Sequence, residues 1–332
     1  MTAEKNGTTE VLHLNAPAIS AGQGAISFDG SLASFPKYIG NVTLEESIIN
    51  KIEANAFYYS SISYPNMGAY ATGLTIKGAV LEIADYAFGK WGLATSLTLP
   101  ASLHTIGMYA FSNWTSLVSL DIPDTVTSIG NNAFTTPSSL ESLKIGTSVV
   151  TIGAYAFYTC PNLTSLTFNG SKLTSIVDYA FYGAVKMTSL TLPSSVTDIA
   201  TYAFYGWTLA TTLQLNTGLL TIWSNAFQAW TSLASLKIPD TVTSIGTSSF
   251  EGCSNLAELT VGTGVTSIAA TAFANCTKLL KITMNRTTPP TISSNTFQNL
   301  STSCVIYVPS AALAAYKAAS NWASYANQMV GI

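Results

Sequence analysis

Apolar side chains recur along this chain at a spacing of 23 or 24 residues over most of its length. A phenylalanine, usually preceded by alanine, stands at Phe57, Phe88, Phe111, Phe134, Phe157, Phe181, Phe204, Phe227, Phe250, Phe273 and Phe297. Five residues before each lies an isoleucine: Ile52, Ile83, Ile106, Ile129, Ile152, Ile176, Ile199, Ile222, Ile245, Ile268 and Ile292. Nine residues after Phe88 a second column begins at Leu97 and returns as Leu120, Leu143, Leu166, Leu190, Leu213, Leu236, Leu259 and Ile282. Two residues further on stand Leu99, Ile122, Ile145 and their equivalents. Apolar residues two apart, with polar ones between and around them, predict a short strand with one buried face. Pro100, Pro123, Pro193 and Pro239 then end it, because proline lacks the backbone donor that a ladder needs. A second extended piece, as in Val126-Thr127-Ser128-Ile129, precedes the Ala-Phe turn.

Eleven units of this size cannot each bury an apolar edge alone, so they must stack on one another. The expected fold class is a β-rich solenoid with one short strand and a second extended side per coil, its rungs about 4.8 Å apart. The unit Ile129-Gly130-Asn131-Asn132-Ala133-Phe134, with Leu140, Leu143 and Ile145 after it, resembles the BspA-like leucine-rich repeat of bacterial and protozoan surface proteins. The resemblance runs from residue 44 to residue 332. Val305-Ile306-Tyr307-Val308-Pro309, followed by Ala315-Tyr316-Lys317-Ala318-Ala319 and Trp322, is similar to the terminal cap of that family. It implies a right-handed leucine-rich-repeat coil and a part in adhesion to host proteins or other cells.

Three segments are expected: residues 1–43 as an N-terminal cap, arm or tether, 44–304 as the solenoid with an extra surface loop at 58–73, and 305–332 as a C-terminal cap. Open end rungs expose apolar edges, so atypical terminal units have to cover them. Residues 310–326 read as a lid helix, with Ser310 as N-cap and Leu313, Tyr316, Lys317 and Trp322 near helical spacing. From Phe57 to Phe88 the step lengthens to 31 residues, and the added stretch carries Tyr59, Tyr64, Pro65 and Tyr70. Insertions in repeats map to surface loops, which makes those three tyrosines candidate contacts; a loop without a binding role is the alternative.

Composition narrows the chemistry. Charged residues make up 9% of the chain, against roughly 25% in ordinary soluble domains. With a net charge of −3 and no basic run, the chain is not expected to bind nucleic acid. Hydrophobic residues reach 48%, yet no apolar run approaches the roughly 18 residues of a membrane span, so insertion is not expected. The only histidines are His13 and His104, which supply neither a metal pair nor a Ser-His-Asp arrangement. His104 shares its position with Thr127, Thr197, Thr243 and Thr266 and reads as a solvated side chain. No phosphate loop, HExxH or GxSxG occurs. Asp121, Asp124, Asp178, Asp198, Asp240 and Glu258 show no pair converging in a cleft, and short stacked rungs offer no deep groove. No catalytic, metal or cofactor residues are therefore assigned, and the expectation is a protein that is not an enzyme.

Aromatic and thiol columns carry the remaining signal. Three residues after the repeat phenylalanine stand Trp91, Trp114, Trp207 and Trp230, and in other rungs Cys160, Cys253 and Cys276. Cysteine in the same column marks an apolar corner, so these tryptophans read as core and the cysteines as buried thiols, although Cys253 and Cys276 stack closely enough for a disulfide. Tyrosines flank the same turn. Tyr86, Tyr109, Tyr155, Tyr179 and Tyr202 lie two residues before phenylalanine, and Tyr58, Tyr158, Tyr182 and Tyr205 one after it. On a turn that buries Ala and Phe these rings point at least partly outward, and Tyr155, Tyr158, Tyr179, Tyr182, Tyr202 and Tyr205 are expected to form one patch. The outward file of the strands, Ser96, Ser119, Ser142, Ser165, Ser189, Thr212 and Ser235, resembles the ranks of some ice-binding β-solenoids, but Asp121, Lys144, Gln214 and Lys237 interrupt the array beside it.

The leading functional expectation is an adhesion or recognition module that binds a protein or glycan through the solenoid surface, outside the cell or on its surface. Met1 to Val11 has no secretory signal. It fits a mature exported chain with an added Met1, or a structural or host-attachment component of a virion or other assembly anchored by its N-terminal segment. Low charge and flat strands are compatible with a homo-oligomer, though no heptad is visible.

Overall fold

The computed structural model describes residues 2–5, 8–11, 25–26, 40–44, 50–58 and 71–332; His13 and the inserted Tyr59, Tyr64 and Tyr70 lie outside the described residues. A parallel β-solenoid of about eleven turns forms, as the period predicts. Each turn carries two extended pieces. The Leu-x-Leu stretch makes one ladder: Ser119–Asp121 pairs in parallel with Ser142–Ile145, Leu120 opposite Leu143. Alternation buries Leu120 and leaves Ser119 and Asp121 exposed. The second extended side is also a ladder, made of two-residue strands ending in the repeat isoleucine. Ser128–Ile129 lies between Thr105–Ile106 and Thr151–Ile152, so that isoleucine faces isoleucine one repeat away on both sides.

The chain divides into two compact units, Met1–Lys172 and Leu173–Ile332. In the first unit the isoleucine ladder runs unbroken through six strands, from Ala25–Ile26 to Thr151–Ile152. Its leucine ladder does not. Five strands end at Ser96–Thr98, and a separate sheet of three begins at Ser119–Asp121. The five-stranded sheet starts with two antiparallel strands, Thr2–Lys5 and Thr8–Val11, the former antiparallel to Gly40–Leu44, so parallel stacking stops at that edge. The second unit repeats the contrast. Six two-residue strands from Ser175–Ile176 to Thr291–Ile292 are continuous, while the leucine ladder breaks between Thr212–Gln214 and Ser235–Ile238.

The Ala-Phe turn closes each coil without a helix. Ala87 N–H donates to Ala84 O and Gly89 N–H to Tyr86 O, which makes two successive tight turns. The intervening donors reach into the next rung: Tyr86 to Met108 O, Phe88 to Ala110 O and Lys90 to Ser112 O, at 2.7 to 2.8 Å. Such turns need a left-handed residue two before the phenylalanine and another two after it, met at Tyr202 (φ 56) and Gly206 (φ 79). Inside, the phenylalanine rings stack nearly parallel, with centroids 5.0 to 5.4 Å apart in the first unit and 5.2 to 5.7 Å apart in the second. The tryptophan column backs that stack, and each indole spends its one polar atom on a phenylalanine carbonyl: Trp114 Nε1 donates to Phe88 O at 2.7 Å and Trp230 Nε1 to Phe204 O at 2.7 Å.

The C-terminal lid differs from the expected 310–326 helix. A 3-10 turn over Ser310–Ala312 leads into α1, Leu313–Ala318, and a second 3-10 stretch, Ala323–Gln328, precedes a final strand, Met329–Gly331. Ser310 is not an N-cap; Pro309 and Ala312 hold the cap positions with no side-chain bond. The alanine-rich run favours helix, but Ala319 turns extended (ψ 145) and Asn321 left-handed (φ 61), because Asn321 Nδ2 is used to bond Ile292 O and Trp322 Nε1 to bond Pro290 O, both across the last rung. The broken helix thereby lays Trp322 against the terminal Phe297 ring at 5.9 Å and buries Tyr316 completely.

Candidate functional site

Tyrosines at the turn are held by its backbone. Tyr86, Tyr109, Tyr155, Tyr179 and Tyr202 all have positive φ, between 54° and 59°. For a bulky side chain this is an outlier, whereas asparagine tolerates it, and Asn132 and Asn225 occupy the same place in other rungs. All eight of the expected stripe residues are half-buried. In the first unit Tyr86 stacks on Tyr109 at 4.9 Å and 12°, with Tyr58 edge-on to Tyr86 and the Lys90 ammonium 5.1 Å from the Tyr58 ring centre. Gly89 makes room there, since a Cβ would lie 2.8 Å from the Tyr58 ring. Of the six tyrosines expected as one patch, Tyr155 and Tyr158 belong to the first unit, 5.4 Å apart. The other four cluster in the second. Tyr179 stacks on Tyr202 at 4.8 Å and Tyr182 on Tyr205 at 4.7 Å, and the two stacks lean together with Tyr202 5.6 Å from Tyr205.

Toward the C-terminus both columns become polar. Asn225 Nδ2 donates to Gln228 Oε1 at 2.7 Å, Gln228 Nε2 to Glu251 Oε2 at 3.2 Å, and Asn275 Nδ2 to Glu251 Oε1 at 3.4 Å. An aromatic patch thus borders a row of hydrogen-bonded amides and one carboxylate.

Other sequence candidates settle differently. The column of Trp91, Trp114, Trp207 and Trp230 is core. Its cysteines are buried free thiols, and burial pushes Cys160 and Cys253 well above the usual thiol range, which leaves them unreactive. His104 is exposed, its Nδ1 2.6 Å from Ser102 O. On the strand face the exposed Asp121 meets Lys144 at 3.3 Å, and Glu258 meets Lys281 at 3.8 Å. A recess of about 590 Å³ opens where the first unit's leucine ladder breaks, between Leu97, Thr98 and Leu99 on one side and Ser119 and Asp121 on the other.

One exposed residue escaped the sequence reading. Trp223 is 52% exposed while the other five tryptophans are fully buried. The signal was in the repeat: its position, four before phenylalanine, holds Ala84, Gly107, Gly130, Gly153, Ala200, Gly246 and Ala269 in seven rungs and Glu53, Val177 and Ser293 in the other three.

Among the described residues no group of three His, Cys, Asp or Glu side chains could hold a metal ion, and no helix is long and apolar enough to cross a membrane. The model for the BspA type leucine rich repeat region matches residues 81–210 and 174–304, with six copies. Among solved structures, a leucine-rich repeat protein from Bacteroides ovatus is 22% identical, with 88% of this chain and 74% of that one covered and a TM-score of 0.62. A leucine rich cell surface protein from Faecalibacterium prausnitzii is 22% identical, covering 88% and 91%, at TM-score 0.49. The pneumococcal vaccine antigen PcpA is 18% identical, covering 92% and 90%, at TM-score 0.44. No curated protein sequence matches the chain.

Proposed function

We infer that this chain, which belongs to the BspA-type leucine-rich repeat family, is a recognition module that binds a protein partner rather than converting a substrate. On this reading it is displayed at a surface, and the second unit's tyrosine cluster is the contact. The observation that carries it is the cluster of Tyr179, Tyr182, Tyr202 and Tyr205, half-exposed and in mutual contact, with two of its members in left-handed backbone. Bulky residues held in that conformation cost about 1 kcal/mol or more each, and such outliers gather where a side chain is needed at one place. The stacking also bears on the class of partner. Each ring pair spends facing surfaces on itself, so edges and hydroxyls are what it offers outward. Edges with hydroxyls suit the mixed apolar and polar surface of a protein, where tyrosine is enriched at contact centres.

Replacing Tyr179 and Tyr202 together with Asn separates binding from folding. Asparagine keeps the turn and relieves its strain, so thermal stability is expected to hold or rise slightly. Binding to a panel of immobilised extracellular-matrix proteins, measured by surface plasmon resonance, is expected to fall at least tenfold for whichever member the native chain binds. Undiminished binding by the double variant, or no binding of the native chain to any member, overturns the reading.

A further inference from the structure

The geometry points to Trp223, one residue before the Ser224 carbonyl that accepts the Tyr202 N–H at 3.1 Å, as the anchor of a second site that takes a saccharide. The indole stands on the outer face of the isoleucine ladder, just after the strand Thr221–Ile222: Thr221 is half-exposed, Ile222 buried and Trp223 exposed. Its backbone is fixed, with the Trp223 N–H donating to Ile199 O at 2.9 Å and the Gly246 N–H of the next rung donating to Ile222 O at 2.8 Å. The neighbours above and below in the same column are Gly246 and Ala200, the smallest side chains available. A larger residue could not simply replace Gly246, since a Cβ there would lie 2.5 Å from the Trp223 carbonyl carbon. No ring contact among the described residues involves Trp223. The ladder therefore presents an indole whose faces no column neighbour covers, in contrast to Tyr182 and Tyr205, which cover each other.

Hydrogen-bonding groups lie beside it at ladder spacing. Asp198, Thr221 and Ser244 are in register on three successive strands, two residues before Ala200, Trp223 and Gly246 and on the same outward face. Thr197 Oγ1 donates to Asp198 Oδ2 at 2.6 Å, which orients the carboxylate. A flat aromatic surface bordered by one carboxylate and two hydroxyls matches an amphipathic ring with apolar C–H faces and an equatorial rim of hydroxyls. That is a gluco-configured pyranose. A second copy of the chain fits less well. Apolar exposure at this place is confined to Trp223 and Leu220, well short of the about 800 Å² per partner of a stable interface.

Because the other five tryptophans are fully buried, iodide quenching of fluorescence reads Trp223 selectively. The full chain would be titrated with cellotetraose, xylotetraose and N-acetylchitotetraose. The expected result is a blue shift and at least twofold protection from iodide with one of them, absent in Trp223→Ala. Ala200→Leu, which keeps the indole but covers one face, is expected to weaken the same saccharide at least tenfold while leaving the iodide-accessible emission in place. Protection that survives Trp223→Ala, no protection by any of the three, or protection that appears with protein concentration alone alongside a dimer mass in light scattering would each overturn the proposal, the last by identifying the occupant as a second copy. None of these readouts involves Tyr179 or Tyr202, so failure here leaves the protein-binding reading standing.

Discussion

Within each unit the isoleucine ladder is continuous over six strands, while the leucine ladder a few residues away is interrupted once. The strands concerned have similar composition and the same period. What differs is the layer next to them in sequence and in the coil. Beside the isoleucines the turn stacks its phenylalanines at 5.0 to 5.7 Å and sends every second backbone donor into the next rung. Ring stacking and turn hydrogen bonds both fix the rung spacing on that side. The leucine side has no aromatic column, and its spacing is set by aliphatic contacts that tolerate adjustment. Its interior shows the effect. Leu97 and Leu213, on the strands just before the two breaks, are each 9% exposed, whereas Ile106 and Ile222 are fully buried. The lesson is that one well-fixed edge is enough to hold a repeat in register, and the other edge is then at liberty to open.

Paired core truncations test that contrast most strongly. Ile222→Ala is expected to cost about 4 kcal/mol and Leu213→Ala about 2 kcal/mol, the upper part and the lower end of the range for aliphatic truncation, read as shifts in urea midpoint with unchanged slope. Equal losses would mean that the break in the ladder is not a looser place. A smaller effect concerns how the cap holds the end of the leucine side. Tyr316 Oη donates to the Arg286 carbonyl at 2.9 Å, just beyond the strand Lys281–Met284. Burial pushes this hydroxyl up to about 12, against a lesser downward pull from Arg286. A raised pKa in the folded state favours the neutral phenol, so its contribution is complete below about pH 10 and is lost as pH rises toward 12. Tyr316→Phe should cost about 1 kcal/mol at neutral pH and flatten the fall in stability over pH 10 to 12 relative to the native chain. An unchanged alkaline profile would show that the cap does not fasten the leucine side through this bond. Least is expected from Lys144→Ala, which removes the exposed pair with Asp121 across two leucine-side strands. A change under about 0.5 kcal/mol, insensitive to salt, would confirm that outward charges do not hold this ladder; a larger loss would shift its cohesion from interior to surface.

Much of this was readable in the residues, and the rest was hidden for identifiable reasons. The Ile and Phe columns predict both extended sides and the turn, because burial repeats at fixed chain distance. The shared Trp and Cys column predicts its own burial. The left-handed positions could have been inferred from Asn132 and Asn225 in one column and Gly183, Gly206 and Gly252 in the other, but tyrosine occupancy masks the first. A lid helix over 310–326 is longer than the one that forms since alanine propensity is local, while what stops α1 is the long-range use of Asn321 and Trp322 by the last rung. The breaks in the leucine ladder have no marker in the period. Nor has the division at Lys172: it falls in a step of 24 residues, from Phe157 to Phe181, but an equal step from Phe273 to Phe297 lies inside the second unit. Trp223 has no periodic marker, because its column holds glycine or alanine in seven rungs and Glu53, Val177 and Ser293 in three others, so one large side chain breaks no repeat.

The strict pairing of each strand with the one a repeat away also bears on how the chain reaches this state. Ile106, Ile129 and Ile152 meet their partners at a separation of 23 residues in a chain of 332, a relative contact order of roughly 0.07, which lies in the range of helical bundles rather than of sandwiches and barrels. Loop closure for each new rung is a small, repeated entropic step instead of one large one. A growing polypeptide can therefore complete a coil as soon as its next few dozen residues have emerged from the ribosome, and add coils one by one during synthesis.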